Sequence, residues 1–190
     1  MAGGPGTVPS FLFGIELIMD LLAEIRAAFP VTPYPGDQVL SDCWCEECAW
    51  AVHRLRGKSW KRVKLGDFNA SDGGRLSNQS FRYYLPAMLS FAVQYPDELH
   101  FASEITARLT TIAPASDDRI QTFQQSLNGL SKRQRKTLVY FFEWLRAQGW
   151  QSSLLIDTAI SAISGNEIVP VEPASLLKER QAMYDAQSKS

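Results

Sequence analysis

Histidine is scarce in this chain: 190 residues carry two, His53 and His100, and neither sits in a Ser/His/Asp arrangement or a recognised metal motif. The commonest general base is therefore missing from almost the whole sequence. Cysteine is scarce too. All three fall within Cys43-Trp44-Cys45-Glu46-Glu47-Cys48, which makes a poor disulfide framework, because one thiol must stay unpaired and the loops closed would be trivial. Long apolar runs are absent. The longest, Phe11 to Leu22, is broken by Glu16 and Asp20, is too short to span a bilayer, and lacks the positive flank and cleavage site of a secretory leader. Neither sign of charge dominates: a net charge of −1 argues against a surface given over wholly to nucleic acid or anionic membrane, so such a role needs a local patch. There is no convincing β-alternation and no internal repeat. Gly73-Gly74 is too short to cradle phosphate and no Lys-Ser/Thr follows it. These absences describe a cytoplasmic protein, its thiols kept reduced, that leans away from enzymatic chemistry and implies no cofactor, zinc being the alternative.

Helical periodicity is what the sequence does contain. Composition is ordinary for a globular chain, 45% hydrophobic and 21% charged, and the length suits one domain with a real core. Residues 1–10 are rich in Gly and Pro and read as disordered. Ile15, Ile18, Leu22, Ile25 and Phe29 recur at helical steps, predicting a helix over Phe13–Phe29 that Pro30 stops. Pro33-Tyr34-Pro35-Gly36-Asp37 reads as a turn. Asp42 is the expected N-cap of a helix from Cys43 to Leu55, and Ser71-Asp72-Gly73-Gly74 reads as a surface loop. A helix over Asn78–Tyr95 contains Pro86, whose missing amide predicts a kink. Shorter helices are expected over Ala102–Thr111 and Asp118–Asn128. Ser131 and Gln134 form a capping box for a helix that Gly149 ends, and Ser152–Ser164 reads as another. The expected fold is all-α, a single-domain bundle of six to eight helices over residues 11–168 with a Pro-kinked central helix. A polar, partly helical tail covers residues 169–190.

Phe81-Arg82-Tyr83-Tyr84-Leu85-Pro86-Ala87 resembles the signature of an uncharacterised bacterial family known only as a domain of unknown function. Pro33 to Asp37, Cys45-Glu46-Glu47-Cys48, Gly57-Lys58-Ser59-Trp60 and the helix after Leu130-Ser131 are similar to further elements of that family, in order, over roughly Leu22 to Gln148. The resemblance implies a helical fold and a bacterial origin. It carries no established activity, so no functional residue comes with it.

Three groups of residues are candidates for function. Cys43, Cys45 and Cys48 could hold zinc, which in structural sites takes four Cys or His ligands. His53 is badly placed as the fourth, about 7.5 Å further along a continuous helix than Cys48 and about 140° around it. The same cysteines could do thiol chemistry, since a helix N-terminus lowers thiol pKa and Cys-x-x-Cys is a redox spacing; Glu46 and Glu47 are expected to raise it again. Otherwise the cysteines are small apolar packing residues. Arg54, Arg56, Lys58, Lys61, Arg62 and Lys64 surround Trp60 with no acid among them, a pattern that suits a phosphate backbone or an acidic protein partner. Lys132, Arg133, Arg135 and Lys136 form a second basic cluster. Beside Pro86, Arg82, Tyr83 and Tyr84 could line a polar pocket, or Arg82 could satisfy carbonyls freed by the proline. The reading placed first is a protein that acts by binding a protein partner, immunity-type or regulatory. Nucleic-acid binding through Arg54 to Lys64 and a zinc- or thiol-dependent role are the alternatives.

Overall fold

The computed structural model describes residues 10–69, 72–98, 100–110, 121, 124–149, 152–165 and 171–187, and among these the fold is all-α with no strand. Helix α1 spans Ser10–Ala28 and turns Leu21, Leu22, Ile25 and Ala28 inward. Ser10 already belongs to it; the remaining residues expected to be disordered lie outside the described residues. Gly36, at φ 100°, opens a single 3-10 turn over Asp37–Val39, and the Tyr34 hydroxyl closes that turn by donating to Asp37 Oδ1 at 2.6 Å.

Helix α2, Glu46–Leu55, starts three residues later than the sequence suggests, with Cys45 rather than Asp42 at its N-cap position. A second correction concerns the expected Ser-Asp-Gly-Gly loop. Asp72–Arg75 is a helical turn, α3, with Asp72 and Gly73 buried. Asp72 can be buried because the Asn69 amide and the Arg54 guanidinium both donate to it. Gly73 is closely packed: a Cβ there would meet Glu104 Oε2 at 2.8 Å and Met88 Cε at 2.9 Å, so those two side chains would have to shift.

Helix α4, Asn78–Gln94, is the most deeply buried element. Ser77 caps it, accepting from the Ser80 amide at 3.1 Å, and both seryl hydroxyls reach the Val39 carbonyl. The helix continues past Pro86, which is buried within it. Phe81, Tyr84, Leu85 and Leu89 are fully enclosed. Helix α5, His100–Arg108, packs along α4. Of the helix expected over Asp118–Asn128, the stretch 124–127 is helical, and much of the rest lies outside the described residues.

Helix α6, Lys132–Gln148, has the capping box foreseen from Ser131 and Gln134, and Gly149 closes it at φ 68°, a left-handed conformation that glycine adopts without steric cost. Leu138, Phe141, Phe142 and Leu145 line its buried face. Helix α7, Ser153–Ile163, packs on α6, and both α4 and α6 pack on α1. One buried cluster runs from Leu21 in α1 to Ile163 in α7. The tail contains α8, Pro173–Gln187, whose Glu179 accepts from the Ser153 amide at 2.7 Å and from the Ser152 hydroxyl. No helix among the described residues is long and apolar enough to cross a membrane.

Candidate functional site

The cysteines stay together in space. Cys43 and Cys45 are exposed on the segment that enters α2, Cys48 is buried in its first turn, and the three sulfurs lie within 4.8 Å of one another, a spacing that could hold a metal ion. The entry segment is held by its own polar atoms. Ser41 Oγ donates to the Arg75 carbonyl at 2.8 Å and accepts from the Cys43 amide at 3.2 Å; the Cys45 amide then points at Cys43 Sγ, 3.3 Å away. Trp44, between the two exposed thiols, is 95% exposed.

The thiols of Cys45, at the N-cap of α2, and Cys48, inside it, are shifted in opposite directions. Cys45 is pulled down to about 7, first by the hydrogen bond of the Cys43 thiol beside it and then by the Cys48 amide at the start of the helix. Burial pushes Cys48 up to about 11. The expectation that Glu46 and Glu47 would raise the Cys45 pKa is thus reversed. Both carboxylates turn elsewhere: Glu47 pairs with Arg75 at 2.7 Å, and Glu46 accepts weakly from Trp50 Nε1 at 3.5 Å. His53 stands edge-on to the Trp50 ring, with centroids 6.2 Å apart.

The basic segment that follows is largely spent on the fold. Arg54 makes a two-pronged bond to Asp72 at 2.6 and 2.7 Å, and Arg56 pairs with Asp37. Lys58 pairs with Asp67 at 2.7 Å. Trp60 is 6% exposed, so its ring offers little face for a base to stack on; Lys61 sits above it, 5.5 Å from the ring centroid. Arg62 and Lys64 are exposed. The Pro33-to-Asp37 turn explains one of these pairings. Its Asp37 accepts from Tyr34 and from Arg56, in that order of effect, which holds the carboxyl below its ordinary range, while burial and the Asp37 bond lift Tyr34 to about 12.

In the second basic cluster, Arg133 pairs with Glu24 of α1 at 3.1 Å. Arg135 donates to the Ile163 and Leu127 carbonyls at 3.0 and 2.9 Å, at the C-terminal ends of two helical stretches. Arg82 does not satisfy a carbonyl of its own helix. Its Nη1 donates to the Gln125 carbonyl at 2.5 Å, at the edge of a polar cleft of about 610 Å³ that Gln38, Asp42, Asn78 and Asn128 also line. Tyr83 and Tyr84 pack edge to face with centroids 5.0 Å apart, and Tyr84 is fully buried.

A further feature was not foreseen. Between α1 and α6 runs an apolar groove of about 740 Å³, floored by Leu21, Ala23, Ala27, Trp144 and Ala147 and edged by Leu17 and Tyr140. Leu17 and Tyr140 are 52% and 47% exposed, and Met19 on the same helix 58%. Asp20, Glu24 and Glu143 also line the groove, Glu24 paired with Arg133 and Glu143 with Arg146, and no described basic side chain is part of the lining. The sequence did hold a signal: Leu17 and Met19 are apolar yet lie off the stripe of Ile18, Leu22 and Ile25 that the core needs. In comparisons with known proteins, no family model, no curated protein and no solved structure matches this chain.

Proposed function

We propose that this protein acts by binding another protein in the groove between α1 and α6, as a non-enzymatic cytoplasmic partner of the immunity or regulatory type. The observation that carries the reading is the groove itself, whose apolar lining stays open to solvent beside the exposed Leu17, Met19 and Tyr140. Large exposed apolar patches on soluble chains mark interaction surfaces. The acidic edge defines the partner's chemistry: an amphipathic helix whose apolar stripe enters the groove and whose flanking Lys or Arg meets Asp20, Glu143 being already paired with Arg146 at 3.2 Å. The reading treats residues 11–168 as one domain, because one buried cluster joins α1 to α7. It keeps a bend at Pro86, which removes the donor that the Arg82 carbonyl would otherwise have.

Nucleic-acid binding through Arg54 to Lys64 ranks lower, since Asp72, Asp37 and Asp67 engage three of those six cations and Trp60 is buried. The test is affinity purification of the tagged full chain from its own host, beside an Ala23→Arg variant. That exposed substitution puts bulk and the wrong charge into the groove. One protein should be retained in stoichiometric amount by the parent and lost by the variant, and the purified complex should protect α1 and α6 amides from exchange. A partner held equally by both chains, or protecting other elements, would overturn the reading.

A further inference from the structure

We propose that Cys43, Cys45 and Cys48 form a three-sulfur site for one thiophilic closed-shell cation, with monovalent copper the ion whose coordination it fits. The sulfurs already lie within 4.8 Å of one another. Around one ion, three sulfurs at bonds of about 2.3 Å stand about 4 Å apart in a trigonal plane. Closing the set therefore needs less than about 1 Å of movement.

The segment carrying them is built to hold that arrangement. Ser41, tied to the Arg75 carbonyl, receives the Cys43 amide, and the Cys45 amide is directed at Cys43 Sγ. Cys48 forms the floor from inside the helix, while Cys43 and Cys45 face solvent and leave an entry path.

The choice of ion follows from what surrounds the sulfurs. Structural zinc requires four protein donors. No described His, Asp or Glu joins the three sulfurs at that spacing. Of the neighbouring groups, Glu47 pairs with Arg75 at 2.7 Å, Glu46 lies toward Trp50 Nε1 at 3.5 Å, and the His53 ring stands edge-on to Trp50. Thiolate-only sets select soft ions, copper(I) among them, and a set of three without a fourth donor suits an ion that accepts three. Trp44, 95% exposed between two of the ligands, would stand beside the bound ion and report it. The site uses no residue of the α1–α6 groove, so its failure and that of the protein-binding reading are separate results.

The experiment titrates copper(I) anaerobically into the reduced, metal-free full chain, with bicinchoninate competing for the ion. One copper per chain is expected, with X-ray absorption showing three sulfur neighbours and no nitrogen or oxygen. Tryptophan emission should fall on binding, and most of that fall should vanish in Trp44→Phe. Cys43→Ser and Cys45→Ser alter exposed residues and should leave the unfolding midpoint in place. Each should weaken copper binding by more than about 100-fold, because losing even an outer-shell partner costs about 10–100-fold. The proposal is overturned by two sulfur neighbours, by Cys43→Ser binding as tightly as the parent, or by zinc held in preference with a nitrogen or oxygen donor. A chain that yields all its copper to bicinchoninate and instead forms a Cys45–Cys48 disulfide under mild oxidation would mark a redox pair and also overturn it.

Discussion

The two ends of α2 put similarly reactive groups to opposite uses. At the C-terminal end most of the polar groups are taken up, although Arg54 Nε is buried without a partner. Arg54 grips the buried Asp72, the Tyr84 hydroxyl lies 3.0 and 2.9 Å from the Leu55 and Lys58 carbonyls, and Arg56 and Lys58 reach Asp37 and Asp67. At the N-terminal end two thiols and an indole face water with no ion pair between them. A run of cations in sequence is therefore not wholly a patch in space, because Arg54, Arg56 and Lys58 each find an acid from a different part of the chain. The cysteines remain a cluster because they are too close in sequence to separate.

The contrast predicts where the protein breaks. Asp72→Ala should be the most damaging change, since it strands the Arg54 guanidinium beside a buried hole. Breaking a buried pair costs about 3–5 kcal/mol, which urea unfolding would read as a large loss of midpoint. A midpoint close to that of the parent would mean the pair contributes little. Tyr84→Phe comes next. It leaves two carbonyls without their shared donor and should cost about 1–2 kcal/mol by the same measurement. Lys58→Met removes a pair in which the lysine is 39% exposed and the aspartate 22%. Partly exposed pairs contribute up to about 1 kcal/mol, and high salt should shrink the difference between parent and variant.

Smallest in stability, and sharpest as chemistry, is alkylation at the other end of the helix. Thiolate is the reacting form, so the Cys45 rate should rise with pH, reach half its plateau near 7, and fall about tenfold per pH unit below that. Cys48, raised to about 11 by burial, should stay unmodified through the same range. Peptide mapping after brief iodoacetamide exposure reads both at once, and equal labelling of Cys45 and Cys48 at neutral pH would erase the contrast.

Much of this was legible in the chain, for reasons that differ from element to element. Helix α6 could be read in full because its signals are local: Ser131 and Gln134 cap each other and Gly149 supplies the left-handed residue. The start of α2 was misplaced because Asp42 is the better cap by residue type, while tertiary bonds from Ser41 hold the segment extended as far as Cys45. Asp72 looked like a loop residue beside two glycines. Its burial depends on Arg54, eighteen residues away, and on close packing of Gly73 against Glu104 and Met88. The candidate cysteines were evident from composition. The direction of the Cys45 shift was not, because it turns on the Cys43 thiol and the Cys48 amide folding back onto that sulfur.

Among the described side chains of helix α8, Glu179 carries hydrogen bonds to the bundle. Most of the helix's described side chains are exposed, Leu177 at 67%, and Glu179 is an anchor, seated at the start of α7. Burial alone would raise that carboxyl, but the bonds from Ser152 and Ser153 outweigh it and hold it below its ordinary range. The docking energy tied to this carboxylate is thus fully present above the pKa of a free glutamate and is lost as pH falls through the lowered one. In mechanical terms Glu179 is a latch on α8, and acid loosens it.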